Sequence, residues 1–115
     1  MAKYFSRAEK ESAVIIKLEV GEIGLSQREE LKKELAEMLR GSRLEFVFDL
    51  SEVDFMSSLL IATLVFFAKE ARLKGGDVRL TGLTGKVKEV AEITQLGKII
   101  EIYSSEKEAI QSFKK

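Results

Sequence analysis

The sequence predicts an α/β domain. Its sheet is mixed, with an antiparallel N-terminal strand and a largely parallel remainder, and four helices lie mainly on one face in the order ββαβαβαβα. Three observations lead there. Runs of β-branched and aromatic residues alternate with segments whose apolar residues repeat every 3.6 positions. Single helices separate the later strands, which makes those strands parallel through crossover connections. The chain's 115 residues are 45% hydrophobic, with no repeat, linker or low-complexity tract, so they form one core-bearing domain spanning 1–115.

The elements follow in order. Ala13 to Val20 is β-branched and ends in alternation, a strand stopped by Gly21. Lys3 to Arg7 is its antiparallel hairpin partner, with a turn near Lys10 and Glu11. Ser26-Gln27-Arg28-Glu29 has the spacing of a capping box. The helix it opens carries Leu31, Leu35, Met38 and Leu39 on one face and ends at Gly41. Leu44 to Leu50 is the next strand. Ser57 or Ser58 caps a second helix that runs to about Lys74, before Gly75-Gly76. Val78 to Leu80 is a short strand, and Thr84 caps a third helix bearing Val87, Val90, Ala91 and Ile93, closed by Gly97. Ile99 to Tyr103 is the last strand. Ser105 to Glu108 is a second capping box, before a helix with Ala109, Ile110 and Phe113.

Composition narrows the chemistry. There is no His, Cys, Trp or Pro, and 19 Lys+Arg balance 19 Asp+Glu. Usual zinc and iron–sulfur sites, thiol nucleophiles, His bases and Ser-His-Asp triads are therefore excluded. Neutrality argues against nucleic acid or an anionic membrane as the main partner. The longest apolar run, Leu59 to Ala68, is about half a membrane span. The start lacks a secretory pattern, so the expected location is cytoplasmic. Asp49 and Asp54 have no third ligand beside them, so no metal is expected, and Asp49 is assigned to a turn hydrogen bond. Thr81 to Lys86 lacks the glycine and hydroxyl spacing of a phosphate loop. No cofactor and no catalytic residue are expected, and the chain reads as a non-enzyme.

In a parallel sheet, sites collect at the carboxyl ends of the strands. Three loops meet there: Gly21 to Leu25, Ser51 to Ser58 and Thr81 to Gly85. The middle one delivers serines to a helix N-terminus, where unpaired N–H groups and the positive end of the macrodipole favour a phosphate. An N-cap serine there is either a plain cap or a switch. On the helix that follows, Ile61, Leu64, Val65, Ala68 and Arg72 share one face, with the first four as the core stripe. Leu59, Thr63 and Phe66 point the other way, as a candidate partner or self-association surface. Leu60 and Phe67 lie on a shoulder, where a neighbouring helix covers them.

The run Val47-Phe48-Asp49-Leu50-Ser51-Glu52-Val53-Asp54-Phe55-Met56-Ser57-Ser58 resembles the signature of the bacterial anti-sigma factor antagonists, the STAS domain family. Gly75-Gly76, Arg79-Leu80-Thr81-Gly82-Leu83, Val87, Leu96, Ile99 and Ala109 extend the resemblance at matching spacing, and Gly21-Glu22-Ile23 precedes the first helix as in the family. It covers about residues 12 to 113. The resemblance implies a STAS-like fold and a module that binds an anti-sigma factor acting as a serine kinase, with release of a sigma factor. It places the phosphoacceptor at Ser58, with Ser57 as fallback. It departs where the family carries Asp, at Gly24 and Ser57, and where the family continues Ser-Gly, at Leu59 and Leu60. Both lost carboxylates lower the negative charge beside the acceptor.

The expected partner surface comprises Gly24, Leu25, Met56, Ser57, Leu59, Leu60, Thr63, Phe66 and Thr84, with a homodimer through the apolar face of the second helix as a further association. The alternatives are an unphosphorylated scaffold or oligomerisation module, and a carrier of a small apolar ligand.

Overall fold

A computed structural model describes residues 4–114. Its elements are β1 (Phe5–Lys10), β2 (Ala13–Leu18), α1 (Leu25–Met38), β3 (Glu45–Asp49), α2 (Ser58–Leu73), β4 (Asp77–Thr81), α3 (Gly85–Ile93), a 3-10 turn (Leu96–Lys98), β5 (Glu101–Tyr103) and α4 (Glu106–Gln111). The five strands lie side by side in sequence order. β1 is antiparallel to β2, and β2 to β5 are parallel. The expected mixed α/β order is the one observed.

Both faces of the central strands β2 to β4 are covered, which is why β2 reads as an unbroken β-branched run. Val14, Ile16 and Leu18 join Phe46, Phe48, Val78 and Leu80 beneath α1, α2 and α3. Ala13, Ile15 and Val47 face the opposite way and are covered by Ala109 and Ile110 of α4. Phe67 anchors α2 edge-on against Phe46 at 4.8 Å and Phe48 at 5.7 Å between ring centroids. On the α4 face, the Arg79 guanidinium bonds Ser112 and Asp77, both at 2.8 Å, and lies 4.3 Å over the Phe113 ring.

Several boundaries differ from the sequence expectation. β1 extends to Lys10 because the reversal takes only Glu11 and Ser12, with Glu11 left-handed at φ 57°; the expected start at Lys3 lies outside the described residues. α1 begins at Leu25 because Gln27 Oε1 accepts the Gly24 N–H at 3.0 Å, which leaves Ser26 and Glu29 in the first turns, not as a capping pair. α1 stops at Met38, ahead of Gly41. α3 is capped at Thr84 without a side-chain bond, and Ile93 at its end is exposed rather than packed. Gly97 lies inside the 3-10 turn, and the Ile99 and Ile100 N–H groups bond back to Leu96 O at 2.9 Å, so β5 is only Glu101–Tyr103. Ser105 caps α4 as expected, accepting the Glu108 N–H at 3.1 Å, but the Glu108 carboxylate accepts from Ser104.

α2 is rolled relative to the expected stripe. Its buried residues are Leu60, Thr63, Leu64, Phe67, Ala68 and Ala71, while Ile61 and Val65 are half-buried and Arg72 is exposed. Packing against α1 explains the roll. The shoulder residues Leu60 and Phe67 turn inward, and Thr63 is enclosed between the helices, where its hydroxyl donates to Leu59 O and accepts from Arg28 Nε at 3.1 Å.

Candidate functional site: the serine turn at the carboxyl edge

The three expected loops meet at the carboxyl edge of the sheet, and two of them clamp the third. Gly21 O accepts the N–H groups of Asp54 at 2.7 Å and Phe55 at 3.2 Å, and Thr81 O accepts that of Leu50 at 2.9 Å. Asp49 Oδ1 accepts the Ser51 N–H at 2.9 Å, the turn bond assigned to it from sequence. Gly82 sits at φ +80°, so close that a Cβ there would lie 2.5 Å from Asp49 Oδ1 and 2.8 Å from Ser51 N. Only glycine combines that dihedral with that approach. Val53 and Met56 pin the middle loop into the core.

This clamped loop ends in the two serines, which have different tasks. Ser57 has extended backbone at φ −76°, ψ 159°, and its Oγ accepts the Leu60 N–H at 3.1 Å. It is the N-cap. Ser58 is the first helical residue, exposed, and its hydroxyl makes no hydrogen bond to any described residue. The N–H groups of Ser58 and Leu59 are donors that the helix cannot satisfy itself. The open choice of cap falls to Ser57, leaving Ser58 as the accessible hydroxyl.

The expected partner residues divide by depth. Gly24, Leu25, Phe66 and Thr84 are exposed, and Ser57 and Leu59 are half-exposed. Met56, Leu60 and Thr63 are 3%, 0% and 3% exposed. They are supports of the turn, out of reach of a docking partner, because the roll of α2 carries Leu60 and Thr63 inward and Met56 plugs the loop. Phe55, 49% exposed, belongs to the surface, though the sequence reading passed it over. An aromatic set between Asp54 and the serines, beside an inward Met56, is the signal that marks it.

Among the described residues no group of three or more His, Cys, Asp or Glu is arranged to hold a metal ion, and no helix is long and apolar enough to cross a membrane. Among the described residues three ionisations are displaced, one of them through Glu52 of the serine loop. Burial and the Glu30 charge push Tyr4 up to about 12. Glu52 raises Lys17 by hydrogen bond and charge. Burial pushes Asp77 upward, but hydrogen bonds from Arg79 and Arg72 outweigh it and hold the carboxyl below its ordinary value.

A family model described as the STAS domain matches residues 4–109. The chain belongs to the STAS domain family. Among STAS relatives, BtrV of Bordetella bronchiseptica, named as an anti-sigma factor antagonist, is 30% identical over 94 residues, covering 82% of this chain and 81% of that protein. The crystal structure of TM1081 from Thermotoga maritima, also named as an anti-sigma factor antagonist, superposes with a TM-score of 0.85 at 23% identity, covering 96% of this chain and 95% of that one. Unphosphorylated SpoIIAA, an anti-sigma factor antagonist and Bacillus cell fate determinant, gives a TM-score of 0.80 at 20% identity, with 96% of each chain covered. The structural likenesses establish the STAS fold. The family model and the BtrV match identify this chain as an anti-sigma factor antagonist-type STAS protein, and these relatives are named for antagonism of a partner, not for a reaction.

Proposed function

We propose that this chain is a regulatory module that binds an anti-sigma factor with serine kinase activity, and that phosphorylation of Ser58 controls the binding. The observation that carries this reading is the division of labour between adjacent serines: Ser57 is committed to the Leu60 N–H, and Ser58 is exposed and unbonded. Phosphate on Ser58 adds about −1.5 to −2 charges beside orphan helix donors, which accommodate it without dismantling the cap. It also places that charge within a surface where Leu25, Phe55 and Phe66 present apolar contacts, so a partner seated on them is displaced. Gly24 and Ser57, standing where the family signature this sequence resembles has aspartate, reduce repulsion of the phosphate. The chain supplies the acceptor and the kinase supplies the catalysis.

The test is calorimetric titration of the partner kinase with unmodified and Ser58-phosphorylated protein. Binding by the first, and binding weakened by at least about tenfold in the second, is the expected result. Equal affinities remove the switch, and no binding by either removes the module.

A second reading, self-association through α2, rests on Phe66, 57% exposed beside a shallow apolar depression lined by Leu35, Leu39 and Phe67. Leu59→Lys with Phe66→Lys then lowers the sedimenting mass while keeping the fold. An unchanged mass rules it out.

A further inference from the structure

A second concave site opens beside the Thr81–Gly85 loop, with Gly82 and Thr84 among its lining residues. α3 packs inward through Val87 and Ala91, and the chain then returns through left-handed Gln95 and the 3-10 turn into the short edge strand β5. This return leaves a groove of about 590 Å³ between α3, the turn and β5, inside the size range of small-molecule sites. Leu83, Ala91, Ile102 and Tyr103 give it an apolar lining, and Lys88 and Lys98 stand on its walls. Neither ammonium lies within ion-pair distance of a described carboxylate, including Glu92, which also lines the groove. An apolar trough with two unpaired cations and one anion favours a ligand that carries a negative head on a hydrocarbon body.

We propose that this groove binds a single-chain anionic amphiphile, with its carboxylate at Lys88 and Lys98 and its chain along Leu83, Ala91 and Ile102. The inference does not rest on the phosphorylation reading, because Leu83, Lys88, Ala91, Lys98 and Ile102 take no part in it. The probe is dodecanoate below its micellar concentration, titrated into the full chain and followed by amide NMR.

Saturable one-to-one binding is expected, with shifts confined to the groove between residues 82 and 104. Lys88→Glu with Lys98→Glu, both exposed positions, weakens it by roughly tenfold. Gly97→Phe blocks it, because a Cβ at Gly97 starts 3.6 Å from the Ile102 terminal methyl and its ring fills the trough. Dodecyltrimethylammonium binds more weakly than dodecanoate. Four results overturn the proposal: no saturable binding, unchanged affinity in the lysine double variant, equal affinity for the cationic amphiphile, or binding only to phosphatidylglycerol vesicles.

Discussion

Replacing Ser57 by alanine removes the hydroxyl that holds the Leu60 N–H at 3.1 Å and leaves that donor in a half-buried turn with no substitute. Loss of such a cap costs about 1 kcal/mol, within a range of roughly 0.5–2. Unfolding entropy near 2.1 cal/mol/K per residue gives about 0.24 kcal/mol/K for this chain, so the variant melts about 4 °C lower. Ser58→Ala predicts the opposite. Its hydroxyl is unbonded, and alanine is a better helix former by a few tenths of a kcal/mol, so its Tm rises by about 2 °C or less. Thermal melts of the two variants and the parent, in one buffer and at one concentration, make the comparison. A Ser58→Ala variant that loses as much stability as Ser57→Ala refutes the reasoning, because the cap is then shared or sits on the wrong serine.

Three further outcomes follow from the same geometry. Gly82→Ala forces a left-handed dihedral on a side chain and drives its Cβ against Asp49 and Ser51, so urea unfolding shows a loss of about 2 kcal/mol or more; a loss below about 0.5 kcal/mol means the loop clamp is loose. Arg79→Met removes the guanidinium that links Asp77, Ser112 and the Phe113 ring, costing about 2 kcal/mol, and amide exchange in α4 accelerates; unchanged exchange there shows that α4 docks without it. Asp77 has a lowered folded pKa, so its contribution is present above the ordinary value of 3.8 and is lost as pH falls through the folded value. Asp77→Asn therefore flattens the acid limb of the stability curve, and an acid limb identical to the parent's shows that Asp77 does not set it.

The fold was legible because local signals agreed with one another: β-branched runs, glycine stops and the 3.6-residue period all pointed to the same order. What failed was where two signals competed. Ser26 and Glu29 have capping-box spacing, but Gln27 reaches Gly24 and starts the helix earlier. On α2 nearly every residue is apolar, so periodicity alone does not choose a face; contact with α1 chooses it, burying Thr63 and Leu60 and exposing Phe66. The serine turn was legible as a place, because strand ends, glycines and a helix start converge in the sequence. Which serine caps depended on a single backbone residue, Ser57, having extended dihedrals, and no residue pattern distinguishes that from a start one position later. The groove beside β5 left no trace in the sequence, because it arises from a 3-10 turn that shortens the last strand.

The role of Ser58 is decided by incubating the protein with its partner kinase and ATP, then locating the phosphate by intact mass and peptide mapping. One phosphate on Ser58, still present in Ser57→Ala and absent in Ser58→Ala, is the predicted result. Phosphate on Ser57, or none on a protein that nevertheless binds the kinase, contradicts it.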